Sequence, residues 1–182
     1  SSGKYLDMFV NIDLDSNHSI PNLINRLFPH TDSSLENKIL SPLAKNISTM
    51  ITGISILFLG WFSKDTQDIG RKNCILGALI SLMVVTPVYA YEHHLVFMIV
   101  PISIVIQAFV EKRIPKSWLP IAIFAYLILA WDWDHLRTGA YLMERQGQRV
   151  LASFMLEGKF FGCALIGMLC VLGAEKKRSN SK

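Results

Sequence analysis

Charge is what this sequence has least of. Only 18% of its 182 residues are Asp, Glu, Lys or Arg, where soluble domains carry about 25%, and the mean hydropathy is +0.35. That shortage excludes a disordered chain. Three cysteines are too few for a disulfide-stapled secreted module. Cys74, Cys163 and Cys170 all fall in apolar stretches, where a thiol serves as a small core residue. Internal repeats, low-complexity tracts and a soluble domain boundary are also lacking. The opening Ser1-Ser2-Gly3-Lys4 has neither an initiator Met nor a signal peptide, so a fragment or trimmed product is expected. The net charge of +4 and isoelectric point near 9.0 could suggest nucleic acid, but the placement of the charges points elsewhere.

Five segments contain no Asp, Glu, Lys or Arg: 46–62, 74–91, 93–110, 118–131 and 160–174. A helix crossing a bilayer needs about 20 mostly apolar residues, with about 17 as the minimum, because its backbone must satisfy itself. The first three segments reach that length unaided. The fourth needs to start near Ile114 with Lys116 snorkelling, and the fifth needs residues from Val150 onward, Glu157 and Lys159 included. So many apolar runs leave too little polar chain to cover a soluble globule. The expected fold is therefore all-α: a polytopic membrane bundle of about five transmembrane helices plus an interfacial amphipathic helix.

Basic residues in short loops set the orientation. Lys64, Arg71 and Lys72, then Lys112, Arg113 and Lys116, then the tail with Lys176, Lys177, Arg178 and Lys182 belong on the cytoplasmic side. The hairpin between the second and third segments has only Glu92, His93 and His94 near its turn, so it belongs outside, with regions 1–45 and 132–159.

Three polar constellations lie on that outer face. Ile20, Leu23, Ile24, Leu27 and Phe28 form one helical stripe, with Pro21 in the first turn and Asn17, His18 and Ser19 just ahead, where free N–H groups favour an anion. Arg26 is then either a solvated charge on an interfacial helix or a ligand-binding group. Thr86-Pro87 leads into Glu92-His93-His94, which suits holding a phosphate, positioning a hydroxyl or moving a proton. The alternative is a wet interfacial hairpin, and the two histidines diverge by about 100° on a helix, so no shared metal is expected. Trp131-Asp132-Trp133-Asp134-His135 is a membrane anchor first and a sugar-binding surface second.

Asn17-x-Ser19-Ile20 followed by Arg26-Leu27 resembles the Asn-Gln-Ser-Leu and Arg-Leu-Leu stretch of the family-87 glycosyltransferases, polyprenol-phosphate-mannose-dependent α-mannosyltransferases of prokaryotic membranes. Thr86-Pro87 through Glu92-His93-His94 to Pro101 resembles that family's Ser-Pro-x-(Ser/Ala)-Trp-x-His-His segment with its later Pro. The two motifs stand in the family's order and cover the middle of the chain, the later segments matching only in hydropathy. His18 replaces the usual Gln, Asp15-Ser16 stand where a Gly is common, and Tyr91 replaces Trp.

The resemblance implies a GT-C-type enzyme that transfers a hexose, mannose above all, from a polyprenol-phosphate donor to a glycolipid or glycan acceptor with inversion, on the outer face of the plasma membrane. Residues 1–174 would be the C-terminal part of that domain, inactive alone, and 175–182 a basic cytoplasmic tail. The catalytic Asp would lie upstream, since Asp7, Asp13 and Asp15 are poorly placed for it. Asn17, Ser19, Arg26, His93 and His94 match the family's positions; His18 and Glu92 join them by proximity. His94 and His93 are the candidate catalytic residues, with Asn17, His18, Ser19, Arg26 and Glu92 binding substrate, His94 being favoured of the pair. No metal, cofactor or nucleic acid is expected; membrane lipids are. The competing reading is a transporter or scaffold subunit, which would place broken helices and ionisable residues at mid-membrane depth.

Overall fold

Short polar residues followed by proline start the first helices. In the computed structural model, which describes residues 17–28, 41–64, 67–87, 92–131 and 134–175, every regular element is helical. Helix α1 (Ile20–Leu27) is capped by Ser19, whose hydroxyl accepts from the Asn22 N–H at 3.2 Å. Ser41 caps α2 (Pro42–Ser63) through the Ala44 N–H in the same way, and Asp68 caps α3 (Ile69–Val85) through the Arg71 N–H. A 3₁₀ segment, Glu92–Met98, leads into α4 (Ile99–Val110), and a 3₁₀ turn, Lys116–Trp118, into α5 (Leu119–Ala130). Then follow α6 (Asp134–Arg145), α7 (Arg149–Leu156) and α8 (Gly158–Ala174). Gly147 makes the turn between α6 and α7 at φ 81°, where a glycine fits without a Cβ penalty.

The all-α expectation holds among the described residues, but the spans differ from the apolar runs. Only α2 is by itself long and apolar enough to cross a membrane. The second run does not continue as helix to residue 91: α3 ends at Val85, and Pro87, which cannot donate to Met83, follows close behind. The third run opens as 3₁₀ helix, so His94–Val110 and Lys116–Ala130 are shorter apolar helices. The fifth does recruit residues from Val150, but as two pieces, Val150–Leu156 and Gly158–Ala174, bent by 71°. Region 132–159, expected as polar outer chain, forms the helical hairpin α6–α7 around Ala140, Ala152 and Leu156. Residues 1–16 and 176–182, with Asp7, Asp13, Asp15 and the basic tail, lie outside the described residues.

Small residues set the centre of the bundle. Helices α3 and α8 run antiparallel, with Cys74 against Gly173, Gly77 against Cys170 and Ser81 against Gly167. Such pairs let the two backbones approach closely. The three thiols are free and buried in this core. Helix α5 closes on α8 at Gly162, where an added Cβ would stand 2.7 Å from Leu129 and 3.2 Å from the Ala125 carbonyl. Hydroxyls within the apolar helices bond back to their own backbone: Ser48 to Ala44, Thr52 to Ser48, Ser81 to Gly77 and Ser103 to Ile99. The flanks are apolar and exposed, as at Leu57 (74%), Trp61 (73%) and Met83 (71%).

The antiparallel order sorts the connections to two ends. One end holds Ser63, Lys64, Asp68, the α4–α5 turn and Ala174; there Arg113 bonds both oxygens of Asp68 at 2.9 and 2.6 Å and Glu111 at 2.7 Å. The other end holds α1, the start of α2, the chain after Val85, Trp131 and the α7–α8 bend.

Two outcomes follow from this packing. A Gly77 Cβ would stand 2.7 Å from the Cys170 sulfur and 3.2 Å from Ile104, and that thiol is pinned near the Pro101 carbonyl. Gly77→Ala should therefore cost about 1–3 kcal/mol, while Gly53→Ala, which meets nothing within 4 Å, should leave the thermal midpoint in detergent unchanged or raised. At the other end, the Arg113 hydrogen bonds hold the Asp68 and Glu111 carboxyls below their ordinary values. Their contribution is present above about pH 4 and is lost as pH falls through the depressed values. Arg113→Gln should lower the midpoint at pH 7 and flatten its decline between about pH 5 and 2; an unchanged slope would exclude this pair as a source of acid sensitivity.

Candidate functional site

A polar stripe runs along α1 beside its apolar one. Asn22 and Arg26, four apart, share one helical face, and His18 stands just ahead of the Ser19 cap. In the structure this face is turned inward: Asn17 and Asn22 are 0% exposed, His18 3% and Arg26 9%. Ile20 and Ile24 are buried as well, so α1 is enclosed on both its apolar and its polar side. This corrects the picture of Arg26 as a charge on a solvated face.

The group that receives the stripe is Glu157, at the break between α7 and α8 and wholly buried. The Asn22 side-chain amide donates to Glu157 Oε1 and to the Asn17 carbonyl, both at 2.7 Å. Arg26 Nε stands 3.2 Å from Glu157 Oε1, and His18 Nδ1 stands 3.7 Å from Oε2. A carboxylate removed from water needs such partners, because desolvation alone costs several kcal/mol per ion. Arg26 neutralises it, so the anion favoured at the start of α1 is supplied by the chain itself. Next along the helix, Asn25 Oδ1 accepts from the Ser41 N–H at 3.1 Å and ties α1 to the cap of α2.

Asn17, His18, Ser19 and Arg26 are thus brought together, with Asn22 and Glu157 added. Glu157 had figured in the sequence only as an awkward charge within the fifth run. The signal that could have found its partner surface was the 18/22/26 spacing; nothing local pointed to Glu157, which lies 135 residues from Asn22. The second motif stands apart. His94 lines an apolar cavity of about 270 Å³ with Ile80, Met83, Val84, Pro87, Phe97 and Val100, and no residue of α1 is among those lining it. It shares the end of the bundle with α1, not a common pocket. The side chains of Glu92 and His93, like Asp132 and Trp133 and the side chains of Asp134 and His135, lie outside the described residues; Trp131 is exposed.

Beside α1 a groove of about 320 Å³ begins at Ile20 and Val85 and runs between α2, α3 and α8 past Phe58, Ser81 and Phe160. Its walls are almost entirely hydrocarbon, and none of Asn17, His18, Asn22, Arg26 and Glu157 is among the residues lining it. No family model, curated protein or solved structure matches this chain.

Asn22→Leu removes both amide bonds, leaving the Asn17 carbonyl and one Glu157 oxygen without that donor. The expected cost is about 1–3 kcal/mol, seen as a lower unfolding midpoint in detergent. Ser19→Ala, which removes the cap, should cost about 1 kcal/mol. A loss at Asn22 no larger than that at Ser19 would mean that the cluster is not load-sharing across α1 and α8.

Proposed function

We propose that the chain is a multi-pass plasma-membrane bundle, the C-terminal part of a GT-C-type glycosyltransferase. It transfers a hexose, mannose above all, from a polyprenol-phosphate donor to a glycolipid or glycan acceptor at the outer face, with inversion. The observation that carries this reading is the gathering of a buried, hydrogen-bonding cluster at one end of a bundle whose flanks are exposed hydrocarbon. Helices shorter than a full bilayer thickness can still serve as spans through tilt, 3₁₀ extension and local thinning. The amphipathic surroundings suit a donor with a polar head and a polyisoprenoid tail.

In the reaction the acceptor hydroxyl attacks the anomeric carbon and gives up its proton, while the bond from that carbon to the phosphate oxygen breaks and its electron pair leaves with the lipid phosphate. The base belongs to the upstream Asp that the family resemblance implies. Residues of this chain serve the other half, holding the donor as charge develops on phosphate. Arg26 meets it from within an ion pair with Glu157, and His94 and His93, which follow α3 in the sequence, are the candidate catalytic residues.

One observation favours the transporter reading: α7 and α8 form a helix broken by 71° at a buried ionisable residue, a feature of substrate paths in transporters. Its position at the end of the bundle, not in the middle of α8, keeps transfer ahead.

The test uses the full-length protein in membranes with polyprenol-phosphate mannose. Arg26→Ala should lower kcat/KM for donor by about 10- to 100-fold, as expected for a charge-assisted bond of about 1.5–3 kcal/mol. Of His93→Ala and His94→Ala, one should lose about 10²-fold in turnover and the other mainly stability, because adjacent side chains diverge. Near-normal turnover in all three would remove the catalytic role from both motifs. Sugar uptake into proteoliposomes without transfer would establish the transporter instead.

A further inference from the structure

Helix α4 ends on a residue that its backbone does not favour. The Arg113 N–H donates to the Ala108 carbonyl at 2.8 Å and the Lys112 N–H to the Phe109 carbonyl at 3.0 Å, the closure in which the residue after the cap turns left-handed. Glycine ordinarily fills that place. Here it is Lys112, at φ 57°, the one residue other than glycine with a positive φ among the described residues. A Cβ is disfavoured there, so the lysine side chain is the feature to explain. Lys116 follows four residues on, in the turn to α5, and both side chains are exposed.

The nearby carboxylates are held by other groups. Arg113 bonds both oxygens of Asp68 and Oε2 of Glu111, and Gln107 donates to Glu111 Oε1 at 2.7 Å. Among the described residues, Lys112 and Lys116 make no side-chain hydrogen bond or ion pair. Beside them, α4, α5 and α8 border a groove of about 400 Å³. Phe109 and Leu119, three residues from Lys112 and Lys116 respectively, line it. Its floor is Val105 and Ile166, both buried, and Ile106 and Ile123 on its rim are exposed. We propose that this is a seat for an anionic phospholipid: Lys112 and Lys116 hold the head-group phosphate, and the groove holds an acyl chain.

Each half of this surface narrows the ligand. Two exposed ammonium groups without a carboxylate partner attract anions, as clustered lysines do beside a bilayer. A choline lipid brings a cation of its own to the same place and gains less. A free phosphate would answer the lysines but leave the groove uncovered, and a hydrocarbon chain alone would make no use of the lysines. An anionic phospholipid meets both halves. The seat lies at the end of the bundle away from α1 and Glu157. It rests on the bilayer placement proposed above and not on glycosyl transfer. Lysines that served only to orient the chain would be interchangeable with Lys64 and Lys72, which share this end and do not line the groove.

The test is native mass spectrometry of the full-length protein in detergent, supplied with equal amounts of dioleoyl phosphatidylglycerol and dioleoyl phosphatidylcholine. The wild type should retain the glycerol lipid about tenfold more strongly. Lys112→Gly combined with Lys116→Gln should remove about tenfold of that retention, yet leave the thermal midpoint unchanged or raised, because glycine suits the left-handed position. Lys64→Gln combined with Lys72→Gln removes the same charge and should change retention by no more than about twofold. Ala122→Phe, which fills the groove, should weaken both lipids, and glycerol phosphate, a head group without chains, should displace neither. Equal losses from the two lysine pairs, or equal retention of the two lipids, overturn the seat. Displacement by glycerol phosphate would assign the lysines to a soluble phosphate, and full retention in Ala122→Phe would remove the acyl chain from the groove. Release of the protein from membranes by alkaline carbonate overturns the bilayer placement together with the seat; a protein that stays in the membrane and does not tell the lipids apart overturns the seat alone.

Discussion

A carboxylate with no access to water must be satisfied by its own chain, and much of this structure is arranged around that requirement at Glu157. The residue sits where α7 and α8 meet at 71°, and the bend gives it a direction off the axis of its own helix. Asn22, Arg26 and His18 answer it from a helix at the opposite end of the sequence. Burying an ion pair gives little net stability, since desolvation offsets most of the attraction, but removing one partner is costly. The gain is in specificity: α1 can satisfy Glu157 in one register, a one-residue slip carrying all three groups away. Asn25 then passes that register to the start of α2 through Ser41.

The rest of the bundle avoids such demands. Along α3 and α8 the contacts are between small side chains, and the hydroxyls are closed within their own helices. Polar chemistry is confined to the two ends, and the ends differ in kind. Arg113, Asp68 and Glu111 pair at the surface, where solvent screens them and little stability is at stake. Around Glu157 the charges have no solvent, so geometry matters far more. That contrast supports placing the chemistry at the α1 end, and the exposed hydrocarbon flanks support placing the whole in a bilayer.

The legible part of this fold is the part that periodicity and punctuation control. The stripe from Ile20 to Phe28, the cap at Ser19 and Pro21 gave α1 nearly to the residue, because each acts within one or two turns. Charge-free runs located the apolar helices, since a long run without charges has few other uses. Run length did not give helix length: Pro87 and the 3₁₀ start at Glu92 shorten the second and third runs, and hydropathy is blind to both. Within the site, the first motif was legible as a set of residues and misjudged in exposure. Arg26 looks solvated in sequence because burial of a charge depends on a partner, and that partner lies more than a hundred residues away. Glu157 itself was illegible for the same reason.

The way the cluster is balanced also bears on how the proposed enzyme would choose its substrate. A bare cation in the last turn of α1 would draw in any phosphate, since charge attracts without regard to the rest of the molecule. Tying Arg26 to Glu157 tempers that indiscriminate pull and gives more of the recognition to hydrogen bonds, whose direction and distance tell one hydroxyl arrangement from another. Sites that bond a substrate hydroxyl reject the analogue lacking it by about 10⁴-fold or more, because the site's buried polar groups are then stranded, whereas apolar walls discriminate by only about 10–200-fold. The hydrocarbon groove at Ile20 can therefore accept many lipid tails of similar width. On the proposed reading, selectivity for the sugar has to come from the polar side, where His18, Asn22 and Arg26 gather around Glu157.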